Sequence, residues 1–175
     1  GILEPAARAV FLECVSEARA GGASVAFDPN LRPRLWPGTD AMCAAVMQAA
    51  AVSDIVLPSF EDEADHFGDA DPLATAARYL GAGVTSVIVK NGPAPVLFVD
   101  GEDRGEVAVT PAEKVVDTTS AGDSFNAGFF ATLDTDRPMA DRITLAAVVA
   151  GQVIGGKGAL VTLNRARFPF QVSTN

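Results

Sequence analysis

Alanine-rich stretches of helical period alternate along this chain with short β-branched runs, and no other feature of the sequence narrows its fold as much. Such segments bury a helical stripe against a sheet, and the arrangement they require is a mainly parallel sheet flanked by helices. The spacing predicts a helix over about residues 5–20 ending at Gly21-Gly22, then a strand Ser24-Val25-Ala26-Phe27 stopped by Asp28-Pro29. A second helix is expected over roughly 40–51, a buried strand at Asp54-Ile55-Val56-Leu57, a helix over 72–81 and a strand at Thr85-Ser86-Val87-Ile88-Val89. The rhythm then changes. Pro95 to Val99 and Glu106 to Val109, joined across residues 100–105, read as an antiparallel hairpin at the sheet edge. Two final helices, near 122–133 and 139–155, surround a polar turn at Asp134 to Pro138. With no internal repeat, low-complexity block or interdomain linker, residues 1–175 are expected to form one α/β domain.

A chain of 175 residues that is 49% hydrophobic has enough apolar material for one sizeable core. Its formal net charge of -9 argues against a surface that wraps DNA or RNA, because that binding rests on Lys and Arg neutralising phosphates. A phosphate bound here is expected to be held by a local site instead. Cys14 and Cys43 show no metal-ligand spacing and look like helix-face packing residues, so a reduced, cytoplasmic setting is the simpler expectation. The longest apolar run, Leu145 to Ile154, is too short to span a bilayer, and no membrane partner is expected. The opening Gly1-Ile2-Leu3-Glu4-Pro5 leads into a helical pattern without an initiating Met, as though a strand had been cut just upstream. The sequence is therefore expected to be a fragment.

Chemistry concentrates in Val116-Asp117-Thr118-Thr119-Ser120-Ala121-Gly122-Asp123-Ser124-Phe125-Asn126-Ala127-Gly128. Small residues at 120–122 let the backbone come close to a ligand, and the helix expected there aims its unused N–H groups and positive dipole end at that ligand. Such an anion hole suits the charge that builds up on a transferring γ-phosphoryl group. Asp123, in the first turn, stands where a carboxylate could accept a proton from an incoming hydroxyl. The competing reading makes Asp117, Thr119 and Asp123 ordinary capping residues at a helix start. P-loop and protein-kinase schemes find little support, since the chain has no Gly-x-x-x-x-Gly-Lys-Ser/Thr and no His-Arg-Asp or Asp-Phe-Gly set.

The run Asp117-Thr118-Thr119-Ser120-Ala121-Gly122-Asp123 resembles the PfkB signature Asp-Thr-x-Gly-Ala-Gly-Asp, with Ser120 in place of the first glycine. The chain is thereby similar to the ribokinase-like PfkB carbohydrate kinases. The resemblance implies a Rossmann-like, mainly parallel sheet flanked by helices. The family's N-terminal strands, its sugar-gripping Gly-Gly segment and its small β-lid are not covered. It also implies that Ser120, Ala121, Gly122 and Asp123 form the anion hole, with Asp123 as general base on the sugar hydroxyl. Ser120 is harmless there if its φ is negative and strained if φ is positive. The activity implied is ATP-dependent transfer of the γ-phosphoryl group to a primary hydroxyl of a sugar or sugar acid, with 2-keto-3-deoxygluconate as leading acceptor. A fructokinase or another PfkB sugar or nucleoside kinase is the rival within the family, and a non-catalytic nucleotide-binding module the rival outside it. ATP and Mg²⁺, a monovalent cation such as K⁺, and a homo-oligomer built through the missing lid complete what the resemblance implies.

Supporting positions follow. Phe27-Asp28-Pro29-Asn30-Leu31-Arg32-Pro33-Arg34-Leu35-Trp36 comes after a strand, at the carboxyl end where open α/β sheets bind ligands, although alone it is a Pro-rich turn. It resembles a segment of the 2-keto-3-deoxygluconate kinases and related fructokinases whose Asn and Arg reach the phosphates and acceptor, roles that fall to Asn30 and Arg32. A guanidinium fork suits a phosphate and a sugar-acid carboxylate alike. Trp36 either covers apolar surface near that site or anchors the loop. Leu57-Pro58-Ser59-Phe60-Glu61-Asp62-Glu63 resembles the family's Asn-x-x-Glu, which organises Mg²⁺ and phosphate through water. Ser59 and Asp62 occupy the two places, and a solvated helix start is the alternative. Val89-Lys90-Asn91-Gly92-Pro93-Ala94-Pro95 resembles the Lys-x-Gly-x-x-Gly turn beside the nucleotide, which nominates Lys90 and Gly92, against a plain strand-to-hairpin turn. Gly155-Gly156-Lys157-Gly158-Ala159 closes the last helix as a C-cap, and the resemblance places a monovalent cation between it and the signature, nominating Asp117, Thr119 and Gly158. Small residues from Ala146 to Ala150 leave room for an adenine ring or form a packed helix–sheet contact. His66, the only histidine, is expected in a surface loop.

Overall fold

The computed structural model of the chain describes residues 4–171, so the strand expected upstream of Gly1 lies outside the described residues. Helix α1 spans Pro5–Ala20, with proline at its start, where a missing N–H costs nothing. Its Leu12 and Val15 are half-buried, while Val10, Phe11 and Cys14 are exposed. The expectation that Cys14 packs is therefore corrected: it sits on the outward stripe of α1. Strand β1 is Ala26–Phe27, shorter than expected. The Asp54 carboxylate takes the Val25 N–H at 2.8 Å and Arg19 Nε at 2.7 Å, while the Val25 carbonyl accepts the Asp54 and Ile55 N–H groups, so a side chain and the backbone together tie the approach to β1.

Helix α2, Thr39–Ala50, buries Met42, Ala45, Val46, Ala49 and Ala50, and leads to strand β2, Ile55–Val56. Helix α3, Phe60–Phe67, follows, where a helix start was expected only as the alternative reading. His66 lies in its last turn, which corrects its placement in a loop. Helix α4, Pro72–Gly81, has Asp71 as N-cap, accepting the Ala74 N–H at 2.8 Å, and precedes strand β3, Ser86–Val89. The hairpin is β4, Val96–Asp100, and β5, Asp103–Val107. Its connection is only Gly101-Glu102, tighter than the six residues expected, because Gly101 at φ 59 supplies the left-handed backbone that a two-residue turn needs.

The five strands run β1-β2-β3-β4-β5; β1, β2 and β3 are mutually parallel and β4 is antiparallel to β3. All four residues of β3 are buried, as a parallel strand covered on both faces should be. Chain packing separates a first unit, residues up to Gly92 with Leu97–Arg104, from a second, Pro93–Val96 with the residues from Gly105 onward. The first unit's core gathers Met42, Val46, Val56, Tyr79, Val87 and Val89, and Trp36 packs against it under Arg8, 5.5 Å from the ring centre. Trp36 thus anchors its loop.

The second unit is built on helices α5, Ala121–Phe130, and α6, Met139–Ile154. They touch at Gly128, where an added Cβ would come within 2.8 Å of Ala146 Cα, so only glycine permits this approach. Ala146 is spent on that helix–helix contact. Among the described residues no helix is long and apolar enough to cross a membrane.

Candidate functional site

In the first unit, the carboxyl ends of β1, β2 and β3 carry Asp28, Ser59 and Lys90 side by side. Ser59 and Lys90 form a parallel bridge, with the Phe60 N–H donating to the Lys90 carbonyl at 2.8 Å and the Lys90 N–H to the Pro58 carbonyl at 2.9 Å. Lys90 Nζ donates to Asp28 Oδ2 at 3.0 Å, and the Asn30 N–H to Asp28 Oδ1 at 3.1 Å. Asn30 has φ 40, the left-handed region that asparagine tolerates better than most residues. Between Asn30 and Arg32, both exposed, Leu31 plugs into the core at 3% exposure. Arg32 Nη1 donates to the Leu31 carbonyl at 2.7 Å. Burial pushes the Asp62 carboxyl above its usual value, against the pull of Arg32 and His66. Gly92 follows Lys90 in an exposed turn with φ 54. The nominated Asn30, Arg32, Ser59, Asp62 and Lys90 therefore share one end of the sheet.

In the second unit, Ser120 is the residue before α5 and has φ 61 and ψ 20. The condition under which serine would be harmless is not met. The backbone keeps the left-handed conformation suited to glycine, and the Ser120 Cβ is strained there. A second correction concerns Ala121, whose N–H donates to the Thr118 carbonyl at 3.1 Å. The open donors are then the N–H groups of Gly122 and Asp123, which a helix start cannot satisfy internally. Asp123 is exposed beside them in the first turn of α5.

Asp117 Oδ1 accepts the Thr119 N–H at 2.9 Å and Oδ2 the Gly158 N–H at 3.0 Å, so Asp117, Thr119 and Gly158 come together as nominated. The Thr119 hydroxyl and amide and the Gly158 amide hold the Asp117 carboxyl below its usual range. Among the described residues no group of three or more His, Cys, Asp or Glu side chains converges as a metal centre. A cleft of about 380 Å³ runs between Ser124 and Ala127 of α5, Val149 and Val153 of α6, and the segment Ala159 to Leu163. Its lining is mostly apolar, and Val149 also closes on Gly128 beside Ala146.

Residues 1–165 match the pfkB family carbohydrate kinase model, and the chain belongs to that family. It is 36% identical over 163 residues to the 2-dehydro-3-deoxygluconokinase of Escherichia coli K12, covering 91% of this chain and 53% of that one. Among solved structures it is similar to a PfkB protein from Polaromonas sp. JS666, with TM-score 0.74, 33% identity, and 87% and 48% of the two chains covered. It is also similar to the aminoimidazole riboside kinase of Salmonella enterica complexed with aminoimidazole riboside and an ATP analog, with TM-score 0.74, 27% identity, and 85% and 51% covered. The chain spans about half the length of the curated relatives it matches.

Two features went unnoticed in the sequence. Asp28 appeared only as a strand stop, although an acidic residue directly after a parallel strand stands at the ligand end of such sheets. Glu63 seemed one more solvated acid of a helix start, yet it is fully buried, accepting Arg78 Nη2 at 2.6 Å and the Tyr79 hydroxyl at 3.0 Å. Arg78 also bonds Asp69 at 2.6 Å and lies over the Phe67 ring at 3.6 Å, which fastens α3 to α4.

Proposed function

We propose that the chain is the nucleotide-binding and catalytic part of an ATP-dependent sugar kinase, with 2-keto-3-deoxygluconate as the leading acceptor. The observation that carries this reading is the open start of α5, with an exposed Asp123 carboxylate beside unused backbone N–H groups. Asp123 takes the proton of the acceptor hydroxyl. The hydroxyl oxygen then forms the new bond to the γ-phosphorus as the bond to the β–γ bridging oxygen breaks and ADP departs. The amides of Gly122 and Asp123, with the dipole of α5, stabilise the charge on the transferring group at no reorganisation cost. Asn30, Arg32, Ser59 and Lys90 bind phosphates, Arg32 also suiting the acceptor's carboxylate, with Gly92 in the turn beside the nucleotide. The cleft lined by Ala127, Val149 and Val153 takes the adenine ring.

Asp62, half-buried, fits Mg²⁺ held largely through water, since that ion keeps most of its hydration and needs one or two carboxylates. Bound Mg²⁺ would neutralise phosphate charge. Asp117, Thr119 and Gly158 are the candidates for a monovalent cation such as K⁺. The 36% identity to 2-dehydro-3-deoxygluconokinase supports the sugar-acid acceptor. The likeness to aminoimidazole riboside kinase supports the rival, another sugar or nucleoside acceptor.

The decisive experiment is Asp123→Asn in the full-length protein. Turnover is expected to fall by roughly 10² to 10⁴, the range for a lost general base, with ATP affinity unchanged. A non-catalytic module shows no phosphotransfer before or after the change. ADP release with 2-keto-3-deoxygluconate, fructose, ribose and adenosine ranks the acceptors, and inactivity on all of them defeats the kinase reading.

A further inference from the structure

We propose that Asp28 is a positioning residue for phosphate binding, its carboxylate holding the Lys90 ammonium and the Asn30 backbone in one arrangement; the inference rests on the nucleotide reading above. Asp28 follows β1 directly and Lys90 follows β3 directly, with β2 between them. The ladders through β2 set the spacing of β1 and β3, and a side-chain pair that reaches across β2 joins their ends directly. That pair is the 3.0 Å ion pair. The Lys90 side chain is only 10% exposed and that of Asp28 22%, and a largely desolvated ammonium requires a fixed counter-charge.

The second oxygen of Asp28 accepts the Asn30 N–H two residues on, an Asx-type turn that sustains the left-handed backbone of Asn30. Buried Pro29 and Leu31 clamp the same loop from within. One carboxylate thus sets both groups nominated for phosphate. It also offsets the charge of the Lys90 ammonium.

Equilibrium ATP binding and thermal midpoints are to be measured for wild type, Asp28→Asn, Lys90→Met and the double variant of the full chain. Asparagine keeps an acceptor for the Asn30 amide and loses the charge. Asp28→Asn is expected to weaken ATP binding roughly tenfold, about 1.4 kcal/mol, and Lys90→Met by a similar factor. The double variant is expected to be no weaker than the worse single, because the two side chains act as one unit. Asp28→Glu, which keeps the charge, should bind within about threefold of wild type and serves as the comparison if the asparagine variant fails to fold.

Single effects that multiply in the double variant overturn the proposal, as do unchanged affinities with lowered midpoints, which make the pair a structural staple. Equal losses in the glutamate and asparagine variants overturn it too. A wild type that binds no ATP overturns the nucleotide reading and this inference together, an outcome separate from the others.

Discussion

Two helices in this molecule, α3 and α5, each have a serine before the first turn and acidic residues within it, yet Glu63 and Asp123 are put to opposite uses. Glu63 of α3 is fully buried, bonded by Arg78 and Tyr79, and burial pushes its carboxyl above the usual range while those two partners hold it back. Asp123 of α5 is exposed beside amides the helix cannot use. A first-turn carboxylate therefore carries no meaning of its own. Its surroundings decide whether it fastens two helices or faces a reactant.

The strongest way to break this contrast is to exchange the symptoms. Arg78→Met leaves Glu63 buried without its cation, and breaking such a pair from one side costs about 3–5 kcal/mol. Chemical denaturation should show that loss. Asp123→Asn, by contrast, should leave the denaturation midpoint where it was while turnover collapses. If Arg78→Met were neutral in stability, Glu63 would not be the fastening that its burial indicates.

The same contrast explains what was legible. Helices α1, α2, α4, α5 and α6 announced themselves through apolar period and through Pro or Gly at their ends, and the predicted spans fall within a few residues of those observed. Helix α3 was read only as an alternative, although Phe60, Ala64 and Phe67 follow helical spacing and both phenylalanines pack against the core, because five of its eight residues, Glu61, Asp62, Glu63, Asp65 and His66, are polar. What the pattern could not reveal is that Glu63 is buried as a paired charge. Strand positions were legible but their lengths were not: at the approach to β1 the Val25 carbonyl takes backbone N–H groups while the Val25 N–H goes to the Asp54 carboxylate. At the site, the signature residues and Lys90 were readable as types. Whether Lys90 already had a partner, whether the Ala121 amide was engaged and which sign the Ser120 φ took depend on backbone geometry that residue identity does not encode.

Ser120 gives a smaller and sharper test, because α3 and α5 differ in the backbone before them as well. Ser59 has φ -103, comfortable for any residue, whereas Ser120 has φ 61. Ser120→Gly removes a left-handed Cβ whose cost is about 1 kcal/mol, and its thermal midpoint should rise. Phosphotransfer should be retained, since the amides keep their direction. A fall in midpoint would mean that the serine side chain gives more than its strain takes away.

Asp117 supplies the smallest effect and a third use for a carboxylate, neither deeply buried like Glu63 nor facing a reactant like Asp123. It ties the signature loop to Gly158, and its hydrogen bonds hold its ionised form below the ordinary value of 3.8. A carboxyl lowered on folding contributes stability that is fully present above the unfolded value and disappears as pH falls through the folded one. The midpoint difference between wild type and Asp117→Asn should accordingly stay constant from neutral pH down to about pH 5 and shrink below 3.8. Thermal unfolding across that window reads it directly. A difference that ignores pH would mean that the loop is held by the shape of the side chain, which asparagine shares, and the charge would have no part in closing the turn before α5.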